Sequence, residues 1–317
     1  MKAVFLDWAT MGPDLDISAM RTALPELEVF HATADEEVFE RISDAVYVLA
    51  NKIRLTDELL EKCAELRFIG LTATGTDNVD LEAAKRHGVA VCNIRAYCTR
   101  SVAEHVFACL LNLTHSLENY VADVRAGEWQ RSEDFCMLTH PVRELSSMTL
   151  GIVGFGELGR GVAKLAGAFG MNVIVSARPG TEPEDDSRVS FDELLVRSDV
   201  ISLHCPLVPE TRRLFGAPEF ARMKSDSILI NTARGGLVDS AALAEALRRR
   251  DIAAAAIDVL PKEPPVRGDP LLDYEGKNLI VTPHVAWATH EARQAAIDEL
   301  TANIVAFQDG RERNRIV

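Results

Sequence analysis

The chain has six cysteines (Cys63, Cys92, Cys98, Cys109, Cys136 and Cys205), which form no CxxC pair and no compact framework. That argues against a disulfide-stapled scaffold and fits ordinary intracellular thiol usage. Cys92 and Cys109 sit in apolar runs and read as small core residues. Positive charge is also in deficit. Lysine and arginine total 34 against 48 acidic residues, a net charge of −14, so there is no general basic face for nucleic acid or an anionic membrane. No apolar run is long enough to span a bilayer. The chain enters the strand-like Val4-Phe5-Leu6 at once, where a signal peptide would need an apolar stretch and a cleavage site. The expectation is a cytoplasmic protein with neither nucleic acid nor membrane as a partner. No His/Cys cluster has metal-ligand spacing, no GxSxG nucleophile elbow is present, and no internal repeat stands out.

What is present is a chain of 317 residues, 47% of them hydrophobic, long for one core and rich enough to bury two. Its most informative stretch is Gly154-Phe155-Gly156-Glu157-Leu158-Gly159. The short β-branched run Thr149–Val153 precedes it, and Leu158, Val162, Leu165, Ala166 and Phe169 follow at helical spacing. Strand, glycine turn and helix form the phosphate-binding opening of a βαβ dinucleotide unit. Gly154 permits the tight turn, Gly156 lets backbone approach a pyrophosphate, and Gly159 lets helix pack close to strand. The pyrophosphate then rests on the unpaired N–H groups and positive end of the helix.

Strand-like and helix-like runs alternate along the rest of the chain. Val4–Leu6, Val46–Leu49, Phe68–Leu71 and Val89–Cys92 read as strands, with helices around Ile17–Leu24, Glu36–Ile42, Asp57–Cys63 and Leu81–His87. A second series runs through Leu150–Val153, Val173–Val175, Val200–Leu203, Ile228–Ile230, Ala254–Ile257 and Leu279–Val281, roughly the six strands of a complete dinucleotide-binding sheet. The pattern predicts an α/β protein with two doubly wound parallel sheets. Ser101-Val102-Ala103-Glu104 has the spacing of a capping box, so a long helix is expected over Thr99–Tyr120. Ala296, Leu300, Ile304 and Phe307 mark a closing helix.

Three polar residues follow successive late strands: Arg234 in Asn231–Gly236, Glu263 in Pro261–Pro264, and His284 in Thr282–Trp287. In a parallel sheet all three emerge on the nucleotide side. An arginine binds a keto acid's carboxylate and carbonyl bidentately, and a histidine donates a proton near neutral pH. A carboxylate on the other ring nitrogen fixes the tautomer.

With these residues the chain resembles the D-isomer-specific 2-hydroxyacid dehydrogenase family over nearly its whole length. The runs that carry the resemblance are Gly75–Asp80, Ser101–His105, Gly151–Gly159, His204–Leu207, Asn231–Gly236, Asp258 with Lys262–Pro264, and Thr282–His284. Asp134–Cys136 and Ala286–Ala288 look most like the glycerate dehydrogenase (hydroxypyruvate reductase) branch. The resemblance implies a Rossmann dinucleotide-binding domain, 99–287, inserted in a flavodoxin-like substrate-binding domain made of 1–98 and 288–317. Two domains around one cleft make hinge closure an expectation. It assigns catalysis to Arg234, Glu263 and His284, and the substrate carboxylate to Ala73, Thr74 and Gly75 alongside Arg234 and His284. Asp258 is implied near the nicotinamide amide, and Glu157, Leu158, Cys205, Pro206, Thr232 and Ala233 as further cofactor contacts. The reaction implied is NAD(P)-dependent reduction of a small 2-keto acid to the D-2-hydroxy acid. In the family the region of the Thr99–Tyr120 helix and the segment to Arg143 forms a dimer arm, and Val121, Trp129, Phe135, Met137 and Leu138 give it more apolar surface than a connector needs, so a homodimer is expected.

A departure bears on the cofactor. The position at the end of the second strand where an Asp or Glu would bind the ribose 2′-hydroxyl falls at Ala177, in Ser176-Ala177-Arg178. No carboxylate there repels a 2′-phosphate, and Ser176 and Arg178 are placed to bind one, so NADP(H) is expected over NAD(H). Arg178 reads as the only cation at the strand tip, with Arg188 ten residues on. Glu182, Glu184, Asp185 and Asp186 would weaken the site if they approached it. Two rival readings remain: a nucleotide-sensing scaffold without catalysis, and a phosphite or formate dehydrogenase. Glu263 argues against the formate branch, which pairs its histidine with glutamine.

Overall fold

The computed structural model describes residues 1–178, 180–181, 183, 185 and 187–317; Pro179, Glu182, Glu184 and Asp186 lie outside the described residues. The chain divides into two compact units, Met1–Cys98 with Ala288–Val317, and Thr99–Trp287.

In the first unit β1 (Ala3–Phe5), β2 (Leu27–Val29), β3 (Tyr47–Ala50), β4 (Phe68–Leu71) and β5 (Ala90–Cys92) form a parallel sheet in the order β2-β1-β3-β4-β5. Between them run α1 (Ser18–Ala23), α2 (Val38–Ile42), α3 (Asp57–Lys62) and α4 (Leu81–Arg86). Every residue of β1, β3, β4 and β5 is buried, as expected of a parallel sheet covered on both faces. Val4, Val48, Ile69 and Val91 pack with Val38, Ile42, Leu60 and Ala83 from the crossover helices. Another part of the sheet receives the closing helix His290–Gln308, whose Phe307 ring lies 5.0 Å from Phe68 and 6.0 Å from Tyr47. β2 has no counterpart in the sequence reading because only Leu27 of its three residues is fully buried, which leaves no apolar run to detect.

The second unit holds α5 (Thr99–Thr114), α6 (Leu117–Arg125), β6 (Thr149–Val153), α7 (Glu157–Ala168), β7 (Asn172–Val175), α8 (Phe191–Arg197), β8 (Val200–Leu203), α9 (Ala217–Phe220), β9 (Ile228–Asn231), α10 (Ser240–Arg249), β10 (Ala254–Ile257) and β11 (Leu279–Val281). The strands are parallel in the order β11-β10-β9-β8-β6-β7. Among the described residues an isolated bridge, Ser176 to Val189, extends the sheet beyond β7, where the third strand of the dinucleotide-binding order would lie. Ser190 and Asp239 cap α8 and α10 by accepting backbone N–H groups in the first turn.

The continuous helix expected over Thr99–Tyr120 does not form. Ser116 adopts φ 49° and separates α5 from α6. The Thr114 hydroxyl bonds back to the Leu110 carbonyl at 2.8 Å, and the Ser116 hydroxyl donates to the Pro141 carbonyl at 2.8 Å. Such local bonds compete with the helical ladder. The capping box is also corrected. Ser101 lies inside α5, and its hydroxyl donates to the Ala286 carbonyl at 2.6 Å. No helix among the described residues is long and apolar enough to cross a membrane.

Candidate active site

The carboxyl ends of the second unit's strands share one edge, and the glycine turn opens there. Gly154 has φ 96°, which L side chains rarely adopt, and a Cβ on it would stand 2.5 Å from the Cys205 amide nitrogen. A Cβ on Gly159 would stand 2.2 Å from the Gly154 carbonyl oxygen, so only glycine allows α7 to start this close to β6. Nothing lies within 4 Å of a Cβ placed on Gly156. The turn is thus crowded on its protein side and open at Gly156, where α7 begins with Glu157 and Leu158 and leaves its first amides unpaired within the helix.

At the tip of β7, Ala177 occupies the position of the missing acid and is buried, with its amide bonded to the Val189 carbonyl at 2.8 Å. Ser176 is buried too, and its hydroxyl donates to the Ala177 carbonyl at 2.5 Å. This corrects the reading of Ser176 as a ligand: its hydroxyl is turned inward. Arg178 is exposed. Arg188 returns to the same place, donating to the Ser176 carbonyl at 2.9 Å with its guanidinium 5.9 Å from the centroid of the Phe155 ring in the glycine turn. The strand tip therefore carries two cations where the sequence reading has one. The overlooked signal is Val189, an apolar residue just before the Ser190 cap, which marks a strand fragment that must rejoin the sheet and bring Arg188 with it.

The ends of β8 and β9 complete this edge. His204 holds its Nε2 2.8 Å from the Ser202 hydroxyl, while its Nδ1 is sealed from solvent with no partner among the described residues. Burial pulls its pKa down to about 4. Thr232 likewise has a buried hydroxyl without a partner among the described residues. Cys205 packs its backbone against the glycine turn, followed by Pro206; burial pushes its thiol up to about 11, which makes it a packing group and not a nucleophile. Ala233 is buried, with its amide bonded to the Asn231 side chain at 3.0 Å.

Arg234, Glu263 and His284 follow β9, β10 and β11, three adjacent strands. Arg234 is exposed, and its guanidinium donates to the Ala233 carbonyl at 2.7 Å. Glu263 and His284 meet directly. The His284 Nδ1 donates to one Glu263 carboxylate oxygen at 2.6 Å, and the other oxygen accepts the Leu260 amide at 2.8 Å. The carboxylate is pinned on one side and grips the ring with the other, so the ring's orientation is fixed and Nε2 is the nitrogen left to act. Asp258, 2% exposed, accepts from the Thr282 hydroxyl and from the Val285 and Ala286 amides. Its carboxylate holds the turn that carries His284.

In the first unit, Ala73, Thr74 and Gly75 follow β4. The Ala73 carbonyl accepts from the Ile94 amide, the Thr74 carbonyl from the Asn93 side chain, and the Thr74 hydroxyl donates to the Ile94 carbonyl. The Ala73 and Thr74 carbonyls are engaged, whereas the three amides of Ala73, Thr74 and Gly75 donate to no backbone acceptor among the described residues, an arrangement suited to an anion. A groove of about 620 Å³ in the second unit is lined by Ile228, Ala254, Ile280, Arg143 and Lys277. It opens at the amino ends of β9–β11 and contains none of the candidate catalytic, cofactor or substrate residues. Among the described residues no group of three or more His, Cys, Asp or Glu is placed to hold a metal ion.

The chain is similar to known proteins in sequence and in fold. The family described as "D-isomer specific 2-hydroxyacid dehydrogenase, NAD binding domain" matches residues 107–286. The glycerate dehydrogenase of Methylorubrum extorquens is 42% identical over 315 residues, 99% of this chain and 98% of that protein. The hydroxypyruvate reductase of Blautia hydrogenotrophica is 39% identical over 322 residues, 99% of both chains. The crystal structure of the TT0316 protein from Thermus thermophilus superposes with a TM-score of 0.86 at 33% identity, over 100% of both chains.

Proposed function

The chain belongs to the D-isomer-specific 2-hydroxyacid dehydrogenase family, and from that premise we propose that it reduces a small 2-keto acid of the hydroxypyruvate or glyoxylate type to the D-2-hydroxy acid. The single observation that carries the catalytic reading is the 2.6 Å contact between His284 and Glu263 on the edge where the glycine turn opens. We assign the catalytic roles to Arg234, Glu263 and His284, the dinucleotide to the residues of Thr99–Trp287, and the substrate carboxylate to the Ala73–Gly75 amides.

The residues fit a nicotinamide dinucleotide. Gly156 leaves room for a pyrophosphate against the first amides of α7. The Nδ1 of His204 and the hydroxyl of Thr232, both without a partner among the described residues, are polar atoms on the same edge that a ligand would satisfy. The bound dihydronicotinamide supplies the hydride. The proton and the orientation of the substrate fall to the side chains. Arg234 binds the keto acid through two parallel N–H bonds. Glu263 keeps a proton on Nδ1 of His284, so that Nε2 presents the transferable proton to the developing alkoxide. Because that proton is needed in the transition state, its value appears in turnover more than in binding.

Two finer readings belong to the same proposal. Arg178 and Arg188, with Ala177 in place of an acid, favour NADPH over NADH. Val121, Trp129, Phe135 and Leu138 are exposed, the last two 90% and 87%, and this apolar surface supports a homodimer. Steady-state turnover on hydroxypyruvate, glyoxylate, formate and phosphite with each cofactor tests the assignment. The expected result is reduction of the keto acids. Cofactor binding with no turnover on any of them would favour a nucleotide-sensing scaffold.

A further inference from the structure

We infer that His105 and Thr282 are positioning residues for His284, acting through Asp258; this rests on the assignment of His284 as proton donor. His284 sits at φ 57°, a left-handed conformation that a residue with a Cβ adopts only when its surroundings hold it there. The hold is visible. The His284 amide donates to the Asp258 carbonyl at 2.8 Å, and the next two amides, Val285 and Ala286, donate to the Asp258 carboxylate, each at 2.9 Å. The Thr282 hydroxyl completes the set at 2.5 Å from Asp258 Oδ1.

That hydroxyl has one proton, and the carboxylate takes it. The contact between Thr282 Oγ1 and His105 Nε2 at 3.1 Å therefore runs the other way, with the ring N–H donating to the hydroxyl oxygen. His105 Nε2 is also 3.7 Å from Asp258 Oδ1. Four residues earlier on α5, Ser101 donates to the Ala286 carbonyl. Residues four apart share a helix face, so one face of α5 clamps both ends of the turn. Thr282 and Ala286 are held from α5, Asp258 threads the residues between them, and His284 is presented outward from the middle. Among the described residues the polar contacts of His105 are to Thr282 and Asp258, not to Arg234, Glu263 or His284. Its effect is to fix the acceptor geometry that Asp258 offers the turn.

The test compares His105→Leu, His105→Gln, Thr282→Val and Thr282→Ser with the parent and with His284→Ala, measuring kcat, KM for the keto acid, cofactor dissociation constant and Tm. Glutamine places an N–H near the position of Nε2, and serine keeps the hydroxyl. His105→Leu and Thr282→Val should each lower kcat by roughly tenfold, the value of about one hydrogen bond. KM and cofactor binding should stay within about twofold, and the double variant should be little worse than either single one, because both break one chain of bonds. His105→Gln and Thr282→Ser should recover most of the loss. Parental kcat in both Leu and Val variants would overturn the inference while His284→Ala remains inactive. A loss of kcat that tracks a fall in Tm and is not rescued by Gln or Ser would also overturn it, as a packing effect. Near-parental turnover in His284→Ala would instead remove the catalytic assignment beneath it.

Discussion

His204 shows how one side chain ties the site to the stability of the sheet. Its ordinary pKa of 6.5 is pulled down to about 4 by burial, so the folded chain keeps the ring neutral over a range in which the unfolded chain protonates it. The stability this residue contributes is complete above pH 6.5 and declines as pH falls toward 4, because the unfolded state binds a proton the folded state does not. By pH 5 the loss is up to about 2 kcal/mol. Thermal unfolding of the parent and of His204→Gln between pH 7 and pH 5 should show a smaller drop in Tm for the variant, and identical slopes would contradict this account. At the residue scale the sequence is legible where chemistry demands one residue type. Gly154 and Gly159 admit no Cβ, so their spacing betrays the turn. Ser101 misleads because a capping box and a buried tertiary hydrogen bond look the same in sequence; only the position of Ala286 separates them.

At the scale of elements, strands with an unbroken β-branched run are legible to within a residue or two. β2 is not, because a three-residue edge strand with one buried side chain leaves no pattern. The break at Ser116 is hidden for another reason. Apolar positions continue through α5 and α6, and the left-handed turn between them is set by the bond to Pro141, distant in sequence. The tip of β7 has a functional consequence. Arg178 is exposed there and Arg188 is anchored to the Ser176 carbonyl, so a 2′-phosphate would meet two guanidinium groups. One charge-assisted contact is worth about 1.5–3 kcal/mol. Arg178→Ala and Arg188→Ala should therefore each reduce the ratio of kcat/KM for NADPH over NADH by roughly ten- to a hundredfold. The change should fall on NADPH. An unchanged ratio in both variants, or comparable efficiency with both cofactors in the parent, would return the adenosine end to a permissive NAD site.

At the scale of the molecule, hydrophobic periodicity points to two parallel sheets, but it does not show that residues 288–317 belong with the amino-terminal unit. Helix contacts decide that, such as Phe307 on Phe68, and they span more than two hundred residues of sequence. The apolar surface at Phe135 and Leu138 leads to a prediction about assembly. The purified chain at micromolar concentration should have twice the mass of one chain, and Phe135→Asp with Leu138→Asp should shift it toward monomer. A monomeric parent would contradict the homodimer. The central claim, that His284 supplies the proton to a reduced 2-keto acid, is tested most directly by kcat on hydroxypyruvate or glyoxylate for the parent and His284→Ala. Cofactor dissociation constants should be measured on the same preparations. The account predicts a loss of kcat of roughly 10²- to 10⁴-fold with cofactor affinity within about twofold; a folded His284→Ala protein that turns over at the parental rate would contradict it.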